Sequence, residues 1–359
     1  MASVWRVLDT GLRSAAENIA LNRALLEARQ ADESPNTLRF LRFTPCALIG
    51  FHQSPEQELN LDYCREHGVA VQRRITGGGA IYFDETQIGW ELYLHKRDLG
   101  TTDMQAISRR ICEAAARGIS TFGLNAQFRP RNDIEVEGRK ISGTGGAFDG
   151  DALMYQGTLL IRFDVEKMLR VLRIPAEKLS DKAIASARER VANLADLLGH
   201  VPERDVVQAS LIQSFAAEFG VHFERGDLSV AEESRYRVAL AEIDSDGWVH
   251  MLDRPQSHLP LVEAVQKFPG GMIRVGIAYE RTRDRIRQII FSGDFFVQPK
   301  RAIADLEARL RDTDAARLES NIACFFRERA VDMQGLSPEN LGQVAQAALQ
   351  QARAEAVPT

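Results

Sequence analysis

Alternating strands joined by tight turns, with helical stretches set between them, predict an α+β protein built as two domains. Three observations carry that expectation. In "QIGWELYLH", Ile88, Trp90, Leu92 and Leu94 alternate with Gly89, Glu91, Tyr93 and His95, and period two marks a strand with one face on a core. In "NDIEVEGRKISG", residues 132–143, two short strands meet at Glu137-Gly138, a hairpin whose tight turn needs a glycine. At 359 residues the chain is long for a single core, and its composition changes after about Phe223. Strand segments outnumber what a helix bundle allows, and hairpins outnumber βαβ units.

The elements follow in order. A first helix is expected over about residues 14–28, carrying Ile19, Leu21, Leu25 and Leu26. "LRFLRF" and "CALIGF" read as strands, and "GVAVQRR" and "AIYFDETQIGWELYLH" flank a glycine triplet. Residues 103–122 switch to helical spacing, with Ile107, Ile111, Ala115 and Ile119 on one stripe and Gly123 placed to stop the helix. "ALMYQGTLLIRF" is a further long strand, and helical stretches near 165–172, 182–198 and 205–219 complete a domain over residues 1–222. Residues 223–258 are polar and irregular, with "RPQSH" as a loop signal, and read as a linker. A second unit, 259–359, opens with "GGMIRVGIAYERTRDRIRQIIFSGDFF", two alternating strands about a charged turn. Pro299 suits the first turn of a helix through Leu310, and Ser337 and Pro338 suit the cap and first residue of a closing helix reaching about Arg353.

Composition narrows the function classes. A net charge of -5 argues against wholesale binding of nucleic acid or a membrane surface, though not against a local basic pocket for a small anion. The N-terminal stretch lacks the basic-then-apolar order of a secretory signal, and no apolar run approaches the roughly 18 residues of a membrane span. The four cysteines, Cys46, Cys64, Cys112 and Cys324, form no CxxC pair, so a reduced, cytoplasmic chain is expected. The seven histidines show no HxH or HExxH spacing, and no transition-metal site is expected.

Two segments carry candidate chemistry. In "RRITGGGAIYF", the Gly77–Gly79 backbone lacks Cβ atoms and can bring its amides close to a phosphate or carboxylate, with Arg73 and Arg74 adding charge-assisted hydrogen bonds. The alternative is a glycine-rich bulge at a sheet corner. No lysine-serine/threonine pair follows the glycines, as a Walker A loop requires, and Tyr82 stands where the third glycine of a dinucleotide fingerprint would fall. In "NDIEVEGRKISGTGGAF", Lys140 lies on the returning strand of the hairpin beside Gly143, Gly145 and Gly146, placed to give a point charge to phosphate or a developing oxyanion. Asp133, opposite on the hairpin, is either a magnesium-binding carboxylate or a strand-edge one. Trp90, Ile88 and Leu92 read as core rather than ligand wall, and "RERVANL" (188–194) as a solvated helix face.

These segments in this order, with "GTLLIRFD" and "RERVANLADLLG", resemble the lipoate–protein ligase family of the biotin/lipoate ligase and octanoyltransferase superfamily over roughly residues 1–220. From Phe268 onward the chain looks like the accessory domain of such ligases, here fused. The resemblance implies a mixed-sheet catalytic domain with a smaller α+β accessory domain. It implies a reaction in which ATP and lipoate, with Mg2+, give lipoyl-AMP, whose acyl group passes to a lysine ε-amine on an acceptor. Residues Arg73, Arg74, Gly77, Gly78, Gly79, Ala80 and Ile81 are then expected at the nucleotide or acyl-phosphate. Asn132, Asp133, Ser142, Gly143 and Thr144 are expected at the adenylate, with Asp133 also at magnesium. Lys140 would bridge the α-phosphate and the acyl carbonyl oxygen, and Trp90, Gln156 and Gly157 would border the acyl chain. Lys140 and the glycine triplet are expected to face one pocket.

The family more often has histidine where this chain has Phe83 and Gln156, which leaves lipoate or octanoate open as the acyl group. The acceptor is a lipoyl domain, a glycine-cleavage H-like protein or a more specialised carrier. A transferase branch of the superfamily uses a cysteine near the position of Asn125, and no cysteine lies between Cys112 and Cys324. Transfer between carriers without ATP, and a non-catalytic carrier- or lipoate-binding module, are the competing expectations.

Overall fold

The computed structural model describes residues 3–130, 132–173, 181–252 and 258–355. The loop expected at "RPQSH" falls, apart from His258, outside them. Contacts divide the chain into two units, Met1–Leu48, Glu58–Arg73 and Ile81–Ser245 in the first, and Ile49–Gln57, Arg74–Ala80 and Asp246–Thr359 in the second.

Eleven strands of the first unit are β1 (Ser3–Arg13), β2 (Thr37–Phe43), β3 (Cys46–Ile49), β4 (Ala70–Arg73), β5 (Ile81–Phe83), β6 (Gln87–His95), β7 (Ala126–Arg129), β8 (Asp133–Val136), β9 (Arg139–Asp149), β10 (Ala152–Leu160) and β11 (Val221–Arg225). Eight form a mixed sheet in the order β11-β1-β2-β6-β10-β9-β8-β7, and β4-β3-β5 form a small second sheet. β1 runs parallel to β2 and β11, while β2, β6, β10, β9, β8 and β7 pair antiparallel. One face of the large sheet carries Ile88, Trp90, Leu92, Tyr155 and Leu159 onto helices Met104–Ser120 and Arg204–Phe219, closing the core with Ile111, Leu211 and Phe215. Helix Ala15–Gln30 covers the other face, started by a Ser14/Glu17 capping box.

Two expectations about secondary structure differ from the fold here, each through a contact distant in sequence. Residues 223–258 are not irregular throughout, because they hold helix Val230–Ile243, which packs along Ala15–Gln30. Its buried face includes Glu232, whose carboxylate accepts from both Nη1 and Nη2 of Arg6, so an apolar stripe was absent from the sequence. The single helix expected over 182–198 is two, Asp181–Glu189 and Leu194–Leu198, with Val191 between them bridging to β9.

The second unit holds β12 (Leu261–Phe268), β13 (Gly271–Glu280), β14 (Arg285–Gly293), β15 (Val297–Gln298), β16 (Thr313–Asp314) and β17 (Asp332–Met333). β12-β13-β14-β16 is an antiparallel sheet, and β15 pairs with β17. Ile273, Val275, Ile277 and Phe291 pack against helices Ala302–Leu310, Leu318–Glu328 and Pro338–Glu355. The helix expected to begin at Pro299 begins at Ala302, and Pro299 lies outside it after a cis peptide bond. No helix among the described residues is long and apolar enough to cross a membrane.

Candidate functional site

The β8–β9 hairpin turns at Glu137-Gly138, both at positive φ (53° and 73°), the backbone that a two-residue hairpin turn of this hand requires. Beyond the turn the register slips. Glu135 pairs with Lys140 and Ile134 with Ser142, so Ile141 has no partner on β8. The turn pairs Lys140 with Glu135, on the face of Asp133, and the bulge beyond them brings Gly143 rather than Ser142 opposite Asp133 on that face. The Lys140 ammonium lies 2.7 Å from Asp133 Oδ1, with both side chains partly exposed (41% and 25%). It also lies over Gly143, where a Cβ would come within 2.9 Å of Nζ. The backbone of Lys140 is fixed from the other side by its N–H donating to Arg190 O (2.9 Å) and its carbonyl accepting from Ala192 N (2.8 Å). The "RERVANL" stretch, expected as a solvated face, therefore anchors the lysine strand. Asn193 within it ties down the end of β10 through Phe163 N (2.7 Å) and O (3.1 Å).

Alternation along β9 and β10 separates the expected residues onto two faces of the sheet. Asp133, Gly143 and Thr158 share the face that Lys140 joins. Glu91 and its register partner Gln156 share the face covered by helix Ala15–Gln30. Ser142, Thr144, Trp90 and Gly157 lie on the core face. Trp90 is 1% exposed, between Phe215 and Tyr155, and its indole occupies the space a side chain at Gly157 would need. The Trp90 indole thus packs in the core, as its place in the alternation implied, and fills the space at Gly157, whereas the resemblance set both residues at the acyl chain. Thr144 holds Asn132 through its N–H (2.8 Å) and hydroxyl (2.9 Å) to Asn132 O, with Asn132 Nδ2 returning to Thr144 O (2.8 Å). Ser142 Oγ is buried without a hydrogen-bond partner.

The Thr144 hydroxyl also meets Cys112 Sγ (3.2 Å) and the Tyr155 hydroxyl (2.9 Å). Burial raises the Cys112 thiol above its ordinary pKa of 9.0, partly offset by its bonds to Thr144 and Tyr155. Burial likewise raises Cys46 and Cys64. Cys324 lies in helix Leu318–Glu328 and donates to Glu328 (2.8 Å).

A buried polar cluster went unnoticed in the sequence. Arg39 is fully buried, pairs with Glu91 (3.0 Å) and donates to Asn18 Oδ1 (2.6 Å), while Asn22 donates to Glu91 (2.7 Å) and Tyr93 (2.9 Å). The signal was present as single charged residues inside the apolar runs "TLRFLRF" and "GWELYLH". With every partner satisfied, the cluster fixes helix Ala15–Gln30 on the sheet.

The glycine segment divides between the units. Arg73, fully buried, ends β4, and Ile81 opens β5, whereas Arg74–Ala80 clusters with the second unit. Arg74, expected at the nucleotide or acyl-phosphate, donates from Nη2 to Gly77 O (3.1 Å) and Gly79 O (2.8 Å), and burial lowers its pKa to about 10. A Cβ at Gly77 would run into the Phe295 carbonyl oxygen and lie 3.1 Å from Phe296 Cδ1. Gly78 takes φ +93° with Phe296 Cζ 3.3 Å from the position of a Cβ. Steric demand from Asp294–Phe296 therefore explains the glycines at 77 and 78 directly, a packing partner that the sequence did not suggest.

Residues 14–216 match the lipoyl protein ligase A/B catalytic domain, and the chain belongs to that family. It is an enzyme of the lipoate ligase/octanoyltransferase group. The structure is similar to that of the bi-partite archaeal lipoate protein ligase of Thermoplasma acidophilum, described with its E2 lipoyl domain, at 28% identity and TM-score 0.62 over 71% of this chain and 99% of that one. It shares its fold with P. falciparum LipL1 in complex with lipoate, at 19% identity and TM-score 0.74 over 96% of this chain and 99% of that one. The chain is also 24% identical to the octanoyltransferase LipM of Moorella thermoacetica, over 69% of this chain and 98% of the relative.

Proposed function

We propose that the protein is an ATP-dependent lipoate–protein ligase. The lipoate carboxylate oxygen attacks the α-phosphorus of ATP, the bond to the β-phosphate oxygen breaks, and pyrophosphate leaves. The ε-amine of an acceptor lysine then attacks the acyl carbon, the bond to the phosphate oxygen breaks, AMP leaves, and the amine gives its proton to solvent.

The observation that supports this over acyl transfer through a thioester is the state of the thiols. A nucleophilic cysteine needs an accessible, low-pKa thiolate. Cys46, Cys64 and Cys112 are buried with raised pKa values, and the half-buried Cys324 lies in helix Leu318–Glu328 of the second unit, where its thiol donates to Glu328. The position near Asn125 carries no sulfur. Lys140, by contrast, is partly exposed on a strand fixed by backbone hydrogen bonds, which suits a cation that stabilises charge on the α-phosphate and acyl carbonyl in both steps. Gly78–Ile81 would contribute backbone to the nucleotide, and Gln156 would border the acyl chain. Magnesium is proposed to arrive on the triphosphate with Asp133 as one carboxylate ligand. The described residues contain no group of three His, Cys, Asp or Glu side chains able to cage it. The acceptor is proposed to be a lipoyl domain or H-like carrier presenting an exposed lysine.

Lipoate-dependent exchange of pyrophosphate into ATP by the purified chain tests the proposal. Acyl transfer from an octanoyl-carrier at full rate without ATP would overturn it.

A further inference from the structure

We propose that Asp294–Phe296 is a positioning element for the glycine loop, so that the second unit itself sets the loop conformation used toward nucleotide. The inference rests on the ligase reading for its catalytic consequence, and on geometry within the second unit for its structural part.

The loop Arg74–Ala80 is clamped from several sides inside that unit. Phe295 O bears on the Cα of Gly77, and the Phe296 ring lies over Gly77 and Gly78. Asp294 lies beside Gly79, with its Cβ 3.8 Å from where a Cβ at Gly79 would be. Beneath the loop, the Gly78 carbonyl oxygen fills the space of a side chain at Gly50. Arg74 closes the loop from within through the carbonyls of Gly77 and Gly79. Both carbonyls accept from the same guanidinium nitrogen, which ties the two ends of the glycine triplet together.

The clamp is itself rigidly held. Asp294 Oδ1 accepts from Met272 N, so the segment leaves β14 under restraint. Gly293 N donates to His52 O (2.8 Å), and the Phe295 ring stacks on the His52 ring with centroids 5.0 Å apart. Ser292 Oγ donates to Gln57 Oε1 (3.1 Å). A glycine loop has large conformational freedom of its own, and binding a phosphate with ordered amides requires that freedom to be removed beforehand. Phe296 removes it by occupying the side of Gly77 and Gly78 on which the loop would otherwise relax.

The test uses the full-length chain with Phe296→Ala and Phe296→Leu. Hydrogen exchange is followed over residues 74–80, and KM for ATP and kcat are measured in lipoate-dependent pyrophosphate exchange. Phe296→Ala is expected to speed amide exchange in the loop and to raise KM for ATP by about tenfold with kcat nearly unchanged. Phe296→Leu should return both values toward the parent. Unchanged loop protection in Phe296→Ala overturns the proposal, as does faster exchange spread evenly over residues 246–355. A fall in kcat with KM unchanged, as a loss of folded enzyme would give, also overturns it. If the parent chain shows no pyrophosphate exchange, the ligase reading falls, and loop protection alone then decides the positioning role.

Discussion

Replacing Lys140 with alanine separates catalysis from folding, and the structure sets both magnitudes. The lost ion pair to Asp133 is partly exposed at both ends, so its contribution to stability is at most about 1 kcal/mol. The strand stays in place because its anchors are the Lys140 N–H to Arg190 and the Lys140 carbonyl to Ala192, which the substitution leaves intact. The catalytic loss is larger. Removing one preorganised donor from a developing oxyanion costs about 3–4 kcal/mol, or roughly a hundred- to a thousandfold in rate. Lipoate-dependent pyrophosphate exchange and a urea unfolding curve, run on the same preparations, give the two readings. Exchange at the parental rate in a folded Lys140→Ala protein would refute the assignment of Lys140. A collapse of stability by several kcal/mol would refute the reasoning that the side chain is structurally dispensable.

Other outcomes follow from neighbouring parts of the structure. Cys112→Ala should keep lipoylation of an acceptor within about threefold of the parent, because its thiol is buried with a raised pKa; an acyl-thioester trapped on Cys112 and lost with the substitution would revive the transferase reading. Gly157→Ala should lower the unfolding free energy by about 1–3 kcal/mol through collision with the Trp90 indole, measured in urea, and an unchanged midpoint would contradict that packing. Glu307 is raised from 4.5 to about 7, chiefly by burial, against the N–H that Phe291 donates to it (2.7 Å). The folded-state pKa lies above the unfolded one, so this group's stabilising contribution is fully present below about pH 4.5 and is lost as pH rises through 7. Glu307→Gln should therefore stabilise the protein by about 2 kcal/mol at pH 8, allowing for the partial exposure of the side chain, and have little effect at pH 4.5. Equal effects at the two pH values would refute the assignment.

Much of the β8–β9 hairpin was legible because its determinants are local. Glu137-Gly138 encodes the turn, the alternation through Ile88–Leu94 encodes a strand with a core face, and Ser14 with Glu17 encodes the start of the first helix. Lys140 stands out in such a reading as a cation next to glycines. Helix Val230–Ile243 was not legible, because one of its buried positions is a glutamate whose partner, Arg6, comes from the first strand of the chain. That Gly143 rather than Ser142 shares the face of Lys140 was equally hidden. It depends on the unpaired Ile141, and a register slip is a property of two strands together.

Local sequence thus establishes the hairpin, the strands and the family of this protein, since turn chemistry and side-chain period act within a few residues. What surrounds the glycines of "RRITGGGAIYF" is settled only by contacts between distant segments. Gly77 and Gly78 face Phe295 and Phe296, and Arg74 donates to the carbonyl oxygens of Gly77 and Gly79. A glycine records only that a side chain is not tolerated there. Whether the space belongs to a ligand or to another part of the chain is decided by packing.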